Sequence, residues 1–365
     1  MPVKEKIIQK ISEEGPISFH DFMEMALYCP NEGYYTSPAE KIGKNGDYYT
    51  SPCLGSIFGE MIAKQLEEMW CLLNKQPFSI IEYGAGNAVL AHHILNYLQH
   101  NQQMYNELTY YIIEKSPQMR VKEAANLHDF KDKARWIDSI KDIANVNGCI
   151  LSNELLDNFA VHQVIMQEEL MEVFVDYNGA FTEQLKPAPA SLKEYLQRLN
   201  THLPAGHRTE INLEAEKWLN EIATVLASGF IITIDYGYSS AELYQKKQGT
   251  LLCYHKHTIN DDPYINVGEQ DITCHVNFSA LLQQGEKQGL DCCGFTNQSN
   301  FLRSLGITEY LRRLEEKNKQ PAAIAEAASL FSLLTQLGQR IKVLVQKKGL
   351  DQVLLSGMKF PLRLQ

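Results

Sequence analysis

No stretch of this chain approaches the ~20 consecutive apolar residues of a membrane span, so none is expected. A C-x-x-C pair is also missing: the eight cysteines are scattered, and the adjacent Cys292 and Cys293 do not suit bridging each other. That pattern predicts reduced, mostly buried thiols in a cytosolic protein. An excess of positive charge is lacking too. The chain has 34 basic residues against 44 acidic ones, a formal charge of −10, which argues against broad electrostatic binding of nucleic acid and suits a cationic partner. Repeats, low-complexity segments and long linkers are absent. The first residues carry Glu5, Glu13 and Glu14, which a signal or transit peptide would avoid, and the expected location is cytoplasmic. What remains is ordinary globular composition, 44% apolar and 21% charged over 365 residues, enough for a substantial core.

The stretch I80-I-E-Y-G-A-G-N-A-V-L-A-H-H-I-L95 reads as a strand, a glycine turn and a helix. Ile80 and Ile81 suit a strand buried on both faces, and Gly84 and Gly86 permit a sharp turn with close approach of a ligand. Further strands are predicted at 108–115, 134–138, 147–154 and 229–237, with helices over 119–127, 213–226 and 277–288. The alternation predicts one α/β domain built on a parallel sheet with helices on both faces. Residues 1–75 form an expected helical lid, including a helix capped at S18-F-H-D21, a second over Ile57–Leu73, and two tyrosine-rich loops. Residues 76–365 form the main domain, with inserted segments at about 160–225 and 238–275. The first insertion begins with a hairpin over Gln163–Tyr177 and a turn at Asn178-Gly179. An alanine-rich helix over Ala322–Val345 and a final strand at V353-L-L-S356 complete the expectation.

Doubly wound sheets bind ligands at the carboxyl ends of their strands. Four such ends here are polar: E82-Y-G-A-G86, Glu114, S152-N-E-L-L-D157 and D235-Y-G237. Taken alone, an acid at the end of a strand is more often a helix cap, Asp235 in particular. A dinucleotide fingerprint needs a third glycine where this chain has Val89, so the turn fits NAD poorly. Glu82, two residues before Gly84, suits a ligand with an ammonium group, and Glu114 is placed to accept hydrogen bonds from ribose hydroxyls. Those features point to S-adenosylmethionine, whose cationic sulfonium the faces of Tyr48 or Tyr49 would attract.

A family resemblance is carried by the order and spacing of several segments. In the first half they are F22-M-E-M-A-L-Y-C-P-N-E-G-Y-Y35, G46-D-Y-Y-T-S51, F58-G-E60, E82-Y-G-A-G-N87 and I113-E-K-S116. Further on come N153-E-L-L-D157, D235-Y-G237, G249-T-L-L-C-Y254, the succession Asp261, Asp262 and Pro263, and G268-E-Q-D-I-T-C-H-V-N-F278. The chain resembles the MidA family, the mitochondrial complex I assembly type of S-adenosylmethionine-dependent protein arginine methyltransferases, which has many bacterial members. The match runs from about residue 15 to 280. It implies a seven-stranded, Rossmann-like class I methyltransferase sheet. It also implies a cofactor set of Glu82, Gly84, Gly86, Asn87, Glu114, Asn153, Thr50 and Ser51. The segments N153-E-L-L-D157, D235-Y-G237 and D271-I-T-C-H275 are implied to face the active site. Where the family usually carries a further glycine, this chain has Ala88.

A guanidinium acceptor needs carboxylates to orient it and take its proton late in transfer. Glu154 is the expected clamp, with Asp157 or Asp271 in support and Asp235 as a further acid; Glu154 and Asp157 share a side if their segment turns helically. His275 is either a general base or substrate contact, or a packed histidine. H255-K-H257 and C274-H275, with Cys253 and Asp271, do not complete a zinc spacing, so no metal is expected. The expected partner is a protein substrate, and a homodimer is left open. The rival readings are a methyltransferase for a small molecule or RNA, a different Rossmann oxidoreductase, and a non-catalytic assembly factor that keeps a cofactor site.

Overall fold

Short β-branched runs separated by amphipathic helices bring the carboxyl ends of five strands into one line. The computed structural model describes residues 1–38, 41, 47, 50–317, 328 and 330–364. Its central sheet contains β1 (Phe78–Tyr83), β2 (Leu108–Ile113), β3 (Ala134–Ile137), β4 (Val146–Asn153), β5 (Leu226–Tyr238), β6 (Asp291–Asn297) and β7 (Ile341–Lys348). Their order is β6-β7-β5-β4-β1-β2-β3, and a short strand Val276–Asn277 pairs beside the end of β5. Strands β1 to β5 are mutually parallel where they pair, whereas β7 runs antiparallel to both β5 and β6. The seven-stranded path matches the expectation, but the sheet is not fully parallel as expected, because β7 is antiparallel to both neighbours.

Two C-terminal readings are corrected. The alanine-rich helix cannot extend to Val345, because Ile341–Lys348 is a strand inserted between β5 and β6. Residues 322–327 and 329 of that reading lie outside the described residues. The segment at Val353–Ser356 is not a strand; it leads into a single turn, Ser356–Met358. The run V343-L-V345 satisfies a buried strand and a buried helix equally, and only the free edge of β5 decides between them.

Helices cover both faces. On one, α3 (Ser56–Leu72) and α4 (Val89–Leu98) join a core that includes Phe58, Ile62, Leu66, Ile80, Ile112 and Phe230. On the other, α5 (Leu213–Val225) and α6 (Phe278–Lys287) bury Trp218, Ile222 and Leu281 against Ile81, Ile150 and Ile231. So α3, although within the expected lid region, packs into the main core.

The N-terminal helices behave differently. Helices Val3–Glu14 (α1) and Phe19–Tyr28 (α2) bury Ile7, Ile11, Phe19 and Phe22 against the inserted segments, including Val173, Val175, Cys253 and Ile272. Ser18 caps α2 by accepting from the Asp21 N–H, as expected from S18-F-H-D21. Ile17–Ser18 adds an antiparallel edge to an inserted sheet made of His162–Met166, Leu170–Tyr177, Phe181–Pro187 and Arg208–Ile211. The predicted hairpin is present within it, and Asn178-Gly179 turns into its third strand. A second insertion forms a three-stranded sheet from Leu252–His255, Thr258–Asn260 and Asp271–Thr273. These additions stand over the carboxyl ends of the parallel strands.

Candidate active site

Strand order reverses between β1 and β4, and a cavity of about 950 Å³ opens at that point. Its floor is the glycine turn. Gly84 and Gly86 have φ of 62° and 58°, and the Gly84 N–H donates to Ile113 O at 2.9 Å. A Cβ at Gly84 would lie 3.1 Å from Leu155 Cδ1, so the bare backbone keeps the turn close to the neighbouring loop. Ala88 holds φ 55° immediately before α4 and is fully buried. A left-handed residue belongs there, and that conformation is why a glycine would suit the position.

Around the turn, Glu82, Gly84, Gly86, Asn87, Glu114, Asn153 and Thr50 line the cavity. Glu114 follows the last residue of β2 and accepts the Ser116 N–H at 2.6 Å. Burial raises its carboxyl above the ordinary range. Glu82 accepts from the Tyr110 hydroxyl at 2.7 Å, and burial brings it to about 7. Asn153 Oδ1 is buried without a hydrogen-bond partner among the described residues. An unsatisfied acceptor, a glycine cradle and an acid beyond β2 fit the polar ends of an adenosyl amino acid. Tyr48 and Tyr49 lie outside the described residues. Ser51 does not line the cavity; it is fully buried behind the site.

The acids Glu154, Asp157 and Asp271 of the opposite wall come from two chain segments. The Glu154 N–H donates to Ile234 O at 2.8 Å, and Glu154 Oε1 accepts from the Ser51 N–H at 3.1 Å and from Asn153 Nδ2 at 3.3 Å. Glu154 takes a left-handed φ of 50°, and the helical turn starts only at Leu156. The two acids of N153-E-L-L-D157 nevertheless both line the cavity. Burial carries Glu154 to about 7. Asp157 is pushed well above its usual value by burial and by the nearby Asp235, Asp271 and Glu154 carboxylates, and its Oδ1 has no partner among the described residues. Asp271 accepts from the Tyr35 hydroxyl at 2.7 Å and is raised to about 7 by burial.

Asp235 occupies a different position. It is fully buried and off the cavity lining. Its Oδ2 accepts from the N–H groups of Leu155 and Leu156 at 3.1 and 2.8 Å, and Oδ1 from its neighbour Tyr236. The carboxylate therefore caps the turn that carries Glu154 and Asp157. His275 does face the cavity, stacked on Tyr236 with ring centres 6.2 Å apart. Burial, reinforced by Lys246, Arg340 and Lys342, drops it to about 4. A carboxylate near 7 is the stronger base by about three pH units, so the acids outcompete this imidazole for a proton.

Sequence reading gave no role to three tyrosines of the wall, although D235-Y-G237 was implied to face the site. Tyr28 and Tyr35 stack with centroids 5.5 Å apart, and Tyr236 faces the same space. The dense aromatics of Y28-C-P-N-E-G-Y-Y35 were a signal, but nothing local says that Tyr35 reaches Asp271. Among the described residues no cluster of metal-binding side chains occurs.

A nucleotide-type crevice with these acids is matched by known proteins. Residues 61–296 match the sequence model of the family Methyltransf_28, described as S-adenosyl-L-methionine-dependent methyltransferase. The chain belongs to this methyltransferase family. Its fold superposes on a COG1565 superfamily member from Burkholderia thailandensis bound to S-adenosyl-homocysteine, with TM-score 0.89 and 29% identity over 99% of this chain and 95% of the other. Curated relatives include the Drosophila melanogaster mitochondrial protein arginine methyltransferase NDUFAF7 homolog, 26% identical over 93% of this chain and 83% of the relative. The mouse protein arginine methyltransferase NDUFAF7 is 25% identical over the same shares. The MidA resemblance and the cofactor, S-adenosylmethionine, are thereby established for this methyltransferase.

Proposed function

We propose that this methyltransferase modifies an arginine side chain of a protein. The observation that carries the reading is the group of acids Glu154, Asp157 and Asp271, held in one cavity beside the glycine turn, with Asp157 Oδ1 unsatisfied among the described residues. Three neighbouring acids in a buried site repel one another, and a guanidinium relieves that repulsion. The names of the NDUFAF7 relatives support the same acceptor.

The residues divide the work as follows. Gly84, Gly86, Asn87 and Asn153 hold the amino acid part of the cofactor with Glu82, and Glu114 takes the ribose hydroxyls; Thr50 closes that side. When bound, S-adenosylmethionine supplies a methyl group on a cationic sulfur that leaves with the electrons of the C–S bond. Glu154 orients the guanidinium, supported by Asp157 and Asp271. As the new N–C bond forms, the guanidinium N–H proton passes to the Glu154 carboxylate, whose value near 7 lets it accept the proton and later release it to water. Asp235 keeps the turn in place, and His275 remains neutral as a wall of the site. Alignment in a water-poor cavity provides most of the acceleration, because the donor is already activated. We place the protein in the cytoplasm on the strength of its free cysteines; among the described residues no helix is long and apolar enough to cross a membrane.

Glu154→Gln tests the assignment. The variant is expected to lose methyl transfer to arginine in extract proteins by at least ~100-fold while S-adenosylhomocysteine binding, followed calorimetrically, stays within a few-fold. Unchanged turnover would overturn the role given to Glu154. Transfer to a metabolite fraction in place of protein would favour the small-molecule reading.

A further inference from the structure

Glu154 is gripped from two places far apart in the sequence. Ser51 opens the turn Ser51–Leu54, and Gln298 begins the helix Gln298–Ser304; both are fully buried. The Ser51 N–H donates to Glu154 Oε1 at 3.1 Å, and the Ser51 hydroxyl donates to Gln298 Oε1 at 3.1 Å. Neither side chain lines the cavity, and both residues lie outside the 61–296 span matched by the family model. Burying a hydroxyl and an amide is costly unless they bond well. Gln298 Nε2 has no partner among the described residues, so its Ser51 contact is the one that fixes the side chain. The helix that presents Gln298 is itself capped by Asn297, which accepts the Asn300 N–H at 2.8 Å.

The consequence falls on one carboxylate oxygen. With Oε1 taken by Ser51 and Asn153, Glu154 Oε2 has no hydrogen-bond partner among the described residues. We propose that Ser51 and Gln298 are positioning residues: together they lock Glu154 Oε1 so that Oε2 is presented to the cationic group of the substrate. The proposal rests on the reading of Glu154 given above. An amide N–H pointed at the oxygen also favours the ionised form, against burial and against the neighbouring Asp157 and Asp235; Tyr236 and Tyr254 also lie within electrostatic reach of Glu154, and Asp271, Tyr28, Tyr35 and His275 face the same cavity.

The Ser51 backbone amide reports the contact directly. In a 15N-resolved NMR titration of the full chain, its proton should shift with a midpoint near 7 as Glu154 ionises, and the titration should vanish in Glu154→Gln. Ser51→Ala and Gln298→Leu should each raise the midpoint of the position-51 amide by about one pH unit and lower the methyl-transfer rate about 10-fold. S-adenosylhomocysteine binding by both variants checks that they fold, and Ser51→Thr, which keeps hydroxyl and amide, should restore the midpoint and the rate. An amide that does not titrate, or a midpoint unmoved in folded Ser51→Ala and Gln298→Leu, overturns the brace. If the amide behaves as stated but Glu154→Gln still transfers methyl groups, the brace stands and the substrate role of Glu154 falls.

Discussion

At the scale of single residues, the site is a set of carboxyls held away from their ordinary ionisation. Asp157 is 6% exposed and raised well above its usual value. A carboxyl whose folded value exceeds its unfolded one contributes stability that is full below the unfolded value and is lost as pH rises through the folded one. Asp157→Asn removes the ionisable group and keeps the shape of the neutral acid. The variant should therefore melt close to the parent at pH 4 and above it at pH 8, with the gap widening as pH rises between the two. Calorimetric melting at both values checks this, and an equal gap at both would contradict it. Methyl transfer should fall in the same variant, since the stabilising change removes an acid that faces the substrate. The structure places this acid, which the sequence offered as support for Glu154, on the cavity lining. For Asp235 the sequence offered both a helix cap and an active-site acid, and its carboxylate caps Leu155 and Leu156; which of two strand-end acids turns inward depends on the loop packed beside it.

At the scale of elements, the strand–turn–helix unit from Ile80 to Leu95 was legible because a short β-branched run gives way, across two glycines, to helical spacing. Ala88 is the exception inside it. Its φ of 55° puts a β-carbon in a conformation that costs roughly 1 kcal/mol, so Ala88→Gly should stabilise the chain by about that amount. Urea unfolding measures the change. Cofactor affinity should rise in parallel if the relaxed turn also seats its ligand better. The last two strands were not legible. D291-C-C-G-F-T-N297 has little apolar character, and I341-K-V-L-V-Q-K-K348 has no alternation that separates strand from helix. The second becomes a strand because β5 offers an unpaired edge, and the first then pairs with the second; both edges are properties of the sheet and not of the segments.

At the scale of the molecule, the N-terminal helices and two insertions form a separate wall over the crevice. Its core joins Ile7 and Phe22 to Val173 and Ile272, residues separated by hundreds of positions. The net charge of −10 acts over the same scale. A cationic protein substrate should bind with an affinity that falls as salt rises from about 50 to about 300 mM, roughly as the Debye length shortens, whereas S-adenosylhomocysteine binding should change little. Calorimetry of the cofactor product beside transfer rates on extract protein separates the two. A transfer rate indifferent to salt would remove long-range charge from substrate capture.

The sequence by itself determined the alternating α/β architecture, the place of the ligand turn and the family, because periodicity, glycine spacing and motif order are local or ordered along the chain. Tertiary structure alone decided which acids meet. Tyr35 reaches Asp271 across 236 positions, and Ser51 joins Gln298 across 247. No local pattern encodes such pairs: each partner is buried at a cost that only the other, delivered by the folded sheet, offsets.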